Sequence, residues 1–509
     1  MNTQEKFTEL IKSNYTKENA LLLGTAIFNG TPLPNAHVTL PFKTLNRHGL
    51  IAGATGTGKT KTLQGITEGL SNAGVPVLLM DVKGDLSGIA KAGQLSDAIK
   101  SRVELIRFDY QPQDFPTELY SLSGENGTQL RATVSEFGPV LLSKILDLNE
   151  TQSGILAVVF KYCDDKLLPL VDLSDLKAVL NFIGENRKKE LEQQYGKVSE
   201  VSISTIFRKV VELEQQGANT FFGEPSFDVN DLLELKNGKG LVNIIRLTDI
   251  QDKPKMFSTF MLTLLAEIYN SFPEIGDVAK PKLVLFIDEA HLIFNEASKE
   301  LVNQIESIVR LIRSKGVSVI FCTQSPDDIP ENVLAQLGFK IQHALRAFTA
   351  KDRKAIKQIA ENYPESEFYK TEELLTSLGI GEAAVTVLSN KGYPTPLAAT
   401  LLAPPRSRMG ILNQVEIDEL LNSSTLHKKY AQSLDKESAF ELLQNKMQAE
   451  GKTINDETEV VTQKKNTSKE KSTIETILNS PVTKQIGRTV ASTLVRGLLG
   501  ALGLTSRRR

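Results

Sequence analysis

Cysteine is scarce, with Cys163 and Cys322 the two among 509 residues. Each stands in an apolar run (AVVFKYC and SVIFCTQ), which excludes a disulfide framework and reads as buried thiols in a reducing compartment. The five histidines show no metal-ligand spacing, so a zinc centre is not expected. No uninterrupted apolar run reaches the ~18 residues that a membrane span needs. The polar opening MNTQEKFTELIKSNY lacks the apolar stretch of a signal peptide. The expected location is therefore cytoplasmic, with no membrane attachment. Charge is balanced as well: 59 Lys and Arg against 61 Asp and Glu leave −2. No overall basic field advertises a polyanion, although basic residues can still be concentrated along one face or channel.

What is present is enough apolar residue, 40%, for more than one core, and the length suggests two or three units. Residues 1–45 read as a polar helix followed by two strands, LLLGTAIF and AHVTLPF, separated by the turn-rich NGTPLPN. From 46 to 125, a short buried strand, a glycine-rich loop, a helix and the run VPVLLMDVKGD form a βαβ unit, which predicts a parallel sheet buried on both faces. Residues 126–237 turn helical and read as an insertion. Strand signals return over 238–411, at GLVNIIRL, KLVLFIDEAH, VSVIFCTQ and FKIQHALRAF. Between the second and third of these lies a helix whose Leu301, Val302, Ile305, Ile308, Val309 and Ile312 share one face. A helical segment is expected over 412–448. Residues 449–475 are too polar to offset the entropy of ordering and read as a disordered linker. Residues 476–509 read as a basic amphipathic tail helix, with Lys484, Arg488 and Arg496 opposite Ile486, Val490, Leu494 and Leu498; docking on a neighbouring subunit is the leading expectation, with contact to DNA or to an anionic membrane surface as alternatives. The fold class this predicts is α/β.

GATGTGKT, Gly53 to Thr60, fits G-x-x-x-x-G-K-[ST] in full. Gly53, Gly56 and Gly58 allow a tight turn, so that the amides of Gly53, Ala54, Thr55, Gly56, Thr57, Gly58, Lys59, Thr60 and Lys61 can point at phosphate oxygens. Lys59 would reach the β- and γ-phosphates of ATP, and Thr60 would place its hydroxyl on Mg²⁺. The helix that follows aims its positive end at the same anion.

LVLFIDEAH sets two carboxylates at the end of a buried strand, where a bound phosphate would lie. Asp288 is the expected Mg²⁺ partner and Glu289 the expected general base for the attacking water. Asp81, ending VLLMD, has two readings, a metal or water-positioning acid and a turn former. Gln324, ending SVIFCTQ, is placed to sense a γ-phosphate. A motor of this kind commonly brings an arginine from a neighbour to the γ-phosphate, and Arg310 and Arg313 are the leading candidates, with Arg47 and Arg346 behind them.

The stretches HGLIAGATGTGKTKTLQ, VLLMDVKGDLSGIA, TVSEFGPVLLSKILDLNETQSG, KLVLFIDEAHLIF, RLIRSKGVSVIFCTQSPDDIPENVLAQLGFKIQHALRAFT and LLAPPRSRMG together resemble the HerA-like branch of the HerA/FtsK ATPases. The resemblance implies a RecA-like P-loop fold in a homo-hexameric ring, with ATP and Mg²⁺ at the subunit interfaces. It implies nucleotide-site roles for Lys59, Thr60, Asp288, Glu289 and Gln324, and auxiliary roles for Asp81 and Arg313. It further implies translocation on double-stranded DNA and, as in better-studied members, a nuclease or other effector partner. Those members carry a sizeable β-barrel ahead of the loop, where this sequence has the short segment 1–45. The competing expectation is a nucleotide-gated scaffold that recruits an effector without moving on DNA.

Overall fold

The computed structural model describes residues 3–15, 18–184, 188–248, 253–276, 278–294, 299–389, 391–432 and 438–445. The expected linker and tail helix, 449–509, lie outside the described residues. By compactness the chain divides into two units, Met1–Leu130 with Phe227–Gln432, and Arg131–Ser226 with Ser433–Arg509.

The first unit is organised by one sheet. In chain order its strands are β1 (Ala20–Phe28), β2 (Thr31–Pro41), β3 (Gly49–Ala52), β4 (Val77–Asp81), β5 (Thr117–Ser121) and β6 (Thr128–Gln129). A two-residue hairpin follows, β7 (Leu235–Lys236) and β8 (Lys239–Gly240). The sheet resumes with β9 (Val242–Arg246), β10 (Leu283–Ile287), β11 (Val317–Thr323), β12 (Phe339–His343), β13 (Glu382–Val387) and β14 (Ala398–Leu402). Across the sheet the order is β2-β1-β14-β13-β12-β3-β11-β10-β4-β9-β5-β6. From β12 to β6 every pairing is parallel, and from β2 to β12 every pairing is antiparallel. The mostly parallel α/β sheet expected from the sequence is thus present, with a four-strand antiparallel flank.

Every residue of β3, β4, β10 and β11 is buried, which is why these runs read as continuously apolar rather than alternating. One face packs under the helix Lys59–Asn72 through Leu63, Ile66 and Leu70, which join Ile51, Leu79, Phe286 and Ile320 in one cluster. Full burial of each such side chain contributes roughly 1.5–3 kcal/mol before ordering costs. The amphipathic helix over Lys299–Ile312 buries Ile305, Ile308, Val309 and Ile312, as its spacing predicts.

Two local expectations are corrected. NGTPLPN is not a loop throughout: β2 starts at Thr31 and carries both prolines, with Leu33 buried. β2 lies at the edge of the sheet, where a proline costs no ladder bond. The strand expected through Phe348 stops at His343, so Arg346 lies beyond it in an exposed irregular segment. β5 (TELYS) has no apolar run, yet all five of its residues are buried, because Glu118 is paired with Lys236 at 2.7 Å and accepts from Ser424.

The second unit is helical. Its helices span Val134–Ile145, Glu150–Lys166, Leu173–Phe182, Lys188–Tyr195 and Glu200–Gln215. Three of them open with reciprocal capping boxes, Thr133 with Glu136, Asn149 with Gln152, and Asp172 with Asp175, each satisfying amide donors that the first turn leaves open. Gly138 (φ 69°) followed by Pro139 kinks the first helix. Phe137, Phe221 and Phe222 stack edge to face at 5.1–6.0 Å to close the core beneath it.

Candidate nucleotide site

The glycine-rich loop leaves the buried end of β3. Gly53, Gly56 and Gly58 have φ of 150°, 78° and 110°, values that residues with a Cβ avoid. At Gly53 a Cβ would also fall 2.5 Å from the Cβ of His343. The loop is tied to three strands at once. Gly53 N–H donates to Thr323 O (3.3 Å) at the end of β11, Ala54 N–H to Ala344 O (2.9 Å) after β12, and Gly381 N–H, just before β13, to Thr57 O (3.0 Å). The Lys59 ammonium folds back over the loop and donates to Gly53 O (2.6 Å) and Ala54 O (3.3 Å). Burial holds its pKa below the ordinary lysine range. Thr60 is half-buried in the first helical turn, Thr55 and Gly56 face solvent, and Lys61 donates to Met409 O at 2.8 Å.

Beneath the loop lies a residue that sequence reasoning missed. His343 is buried, and its Nδ1 faces Thr57 O (3.2 Å) while Nε2 faces Thr62 Oγ1 (2.9 Å). Burial, then the charge of Lys59, lowers its pKa to about 4, so the ring is neutral. The carbonyl can only accept, so Nδ1 carries the proton and Nε2 accepts from the threonine. The ring thus joins the loop to its helix. No local pattern announces this, because Thr62 is 281 residues distant in sequence.

Asp288 and Glu289 follow β10 two strands away. Glu289 adopts φ 49°, an unfavourable conformation for a side chain of this type, and Ala290 N–H donates to Cys322 O at 2.9 Å. One oxygen of the Glu289 carboxylate contacts the Lys83 ammonium, and the other lies 3.2 Å from His291 Nδ1. Burial favours its neutral form, but Lys83 outweighs that and, with His291 and Lys59, holds the carboxyl below its usual range. Asp288 shows the reverse. Burial, then the neighbouring Glu289 charge, pushes its pKa up to about 7, and its Oδ2 is buried without a hydrogen-bond partner among the described residues.

The remaining candidates separate. Gln324 is exposed directly after β11, on the same edge as the loop. Asp81 is fully buried and spends its carboxylate on its own turn, accepting from Gly84 N–H (2.7 Å), Asp85 N–H (3.2 Å) and Leu86 N–H (3.2 Å). Arg310 and Arg313 end the helix that returns from β10 to the start of β11, so they stand at the opposite edge. β11 has seven residues, and at roughly 3.3 Å each the strand separates the two edges by about 20 Å. An arginine side chain cannot span that distance to its own loop. Arg346, beyond β12, donates to Thr376 O at 3.5 Å.

The donors present fit a magnesium–triphosphate group. An orphaned, buried carboxylate oxygen at Asp288 and a first-turn hydroxyl at Thr60 are hard oxygen ligands suited to Mg²⁺. The loop's glycine geometry also leaves no Cβ in the way of an approaching phosphate.

A parallel sheet with this loop on one strand and an acidic pair two strands away defines a RecA-like P-loop NTPase. The chain matches the Helicase HerA-like C-terminal family over residues 28–509 and belongs to it. It is 24% identical over 388 residues to the DNA double-strand break repair helicase HerA of Saccharolobus solfataricus, covering 75% of this chain and 69% of that one. To the helicase HerA of Sulfolobus acidocaldarius it is 20% identical over 372 residues, covering 69% and 64% respectively. The chain thus spans about two thirds of the length of these relatives. Among solved structures, the bacterial conjugative coupling protein TrwB aligns at 14% identity and TM-score 0.49, over 79% of this chain and 94% of that one. No described helix is long and apolar enough to cross a membrane.

Proposed function

We propose that the chain is an ATP-hydrolysing motor that assembles as a homo-hexameric ring and translocates on double-stranded DNA. The observation that carries the reading is the division of the hydrolytic set between two edges of one sheet. Loop, Asp288, Glu289 and Gln324 share one edge, while Arg310 and Arg313 stand about 20 Å away at the other. That placement suits an arginine offered to a neighbour's nucleotide and makes each site incomplete without a second copy.

In this reading the amides of Gly53–Lys61 and the Lys59 ammonium hold the phosphates of ATP. Thr60 and Asp288 would hold Mg²⁺, which supplies charge neutralisation at the β- and γ-phosphate oxygens. Glu289, kept ionised by Lys83 and His291, accepts the proton of the attacking water. Gln324 faces the γ-phosphate, and Arg313 of the next subunit stabilises charge on the transferred group. Asp81 is assigned to shaping its own turn. DNA as the track rests on the names of the HerA relatives.

The test is the ATPase rate with and without long duplex DNA, for wild type and Glu289→Gln. Duplex should stimulate the wild type, and the variant should bind ATP without turnover. An unchanged rate with no duplex binding rejects the translocase in favour of a nucleotide-gated scaffold. A persistent monomer with a non-hydrolysable ATP analogue rejects the ring.

A further inference from the structure

A second buried histidine occupies the arginine edge. His48 is 2% exposed and stands immediately before β3, in a left-handed conformation (φ 57°). Its Nδ1 accepts from Val319 N–H of β11 at 2.9 Å. An N–H donor there requires an unprotonated Nδ1, so Nε2 carries the proton and donates to Val309 O at 2.8 Å. Val309 lies in the last turn of the helix Lys299–Ile312, which carries Arg310 and runs directly into the short 3-10 turn that begins at Arg313. Burial, helped by the nearby Arg313 charge and opposed by the Val309 bond, lowers the pKa of His48 to about 4, so the ring stays neutral. Four residues of β3 separate this ring from the phosphate loop.

We propose that His48 is a positioning residue for the arginine delivered to the neighbouring subunit, fixing the helix end that carries Arg313 against the base of the strand that feeds the phosphate loop. The inference rests on the reading of Arg313 as acting in trans. A free last turn would fray, as helix ends do, and an arginine misplaced by about 1 Å loses much of its transition-state contact. The same ring gives the arginine and the loop of one subunit a common anchor, so a change felt at one reaches the other through β3.

His48→Asn isolates the link. Asparagine tolerates the left-handed backbone and offers an oxygen near the Nδ1 position for Val319 N–H, but it cannot reach Val309 O. Mixed rings then separate the levels of the argument. Subunits carrying Arg313→Ala keep a complete loop, and subunits carrying Glu289→Gln keep the arginine without their own hydrolysis. Mixing the two should restore ATPase activity. Replacing the second by His48→Asn/Glu289→Gln should lower the restored kcat on the order of tenfold, with KM for ATP near wild type and the melting temperature of the His48→Asn chain lowered by no more than about a few degrees. Equal restoration by the single and double variants overturns the proposal. A low restored rate accompanied by a collapsed melting temperature also overturns it, in favour of a general structural role. Failure of Arg313→Ala and Glu289→Gln to restore each other rejects the trans reading itself, and the inference falls with it.

Discussion

The two edges of the parallel sheet hold the same kind of device for different ends. At the nucleotide edge, neutral His343 bridges Thr57 O and Thr62 Oγ1 and so ties the loop to its helix. At the arginine edge, neutral His48 bridges Val319 N–H and Val309 O and so ties a helix end to the sheet. The nucleotide edge carries an unpaired carboxylate oxygen and an acid pair that repel each other, charges that wait for a ligand. The arginine edge has its buried polar atoms paired around His48. One edge keeps a buried carboxylate oxygen without a partner among the described residues, whereas at the other both ring nitrogens of His48 are hydrogen-bonded.

The largest test of this contrast is Arg313→Ala, which should reduce kcat by about 10³-fold or more while ATP still binds; a near-normal rate breaks the division of labour. Glu289→Gln should cost about 10²–10⁴ in kcat without weakening ATP binding, read by single-turnover and binding assays. Asp288→Asn sharpens the claim that the nucleotide edge is strained. The folded pKa of Asp288, about 7, lies above the ordinary aspartate value of 3.8. The penalty therefore develops as pH rises from about 4 to 7 and is full above that. Asparagine should stabilise the ligand-free protein by roughly 2–4 kcal/mol at pH 8 and by nothing near pH 3, measured by denaturant titration, while Mg²⁺-dependent turnover is lost. His343→Ala should cost about 1–3 kcal/mol by removing the bridge between Thr57 O, which keeps Gly381 N–H, and Thr62 Oγ1, which keeps Gly58 O, with a raised KM for ATP. Asp81→Asn should be the mildest, near 1 kcal/mol through the lost Leu86 bond, with kcat close to wild type. A collapse of kcat there would assign Asp81 to the metal after all.

The site was legible where its parts are contiguous. Gly49–Thr60 and Leu283–Glu289 each write a strand, its end and its polar groups in one short run, so spacing alone reveals them. The flank β13–β14–β1 was far less visible. Its strands are recruited from both ends of the described chain, and their pairing, such as Gly24 with Leu402, leaves no periodic trace. β5 escaped because Glu118 satisfies its charge with Lys236 across 118 residues. Asp81 was readable as an acid at a strand end, but its commitment to the Gly84–Leu86 amides depends on the turn's conformation.

The sequence by itself determined the phosphate loop, the acidic pair and the parallel core, because backbone turns and buried strands are specified by residues next to one another. Tertiary structure decided which edge each arginine occupies. It also decided what the buried histidines do, because His48 meets Val309 across 261 residues and His343 meets Thr62 across 281. A hydrogen bond between segments that distant exists only once the sheet has brought them together, and until then the same histidines are two polar residues at the ends of strand-forming runs.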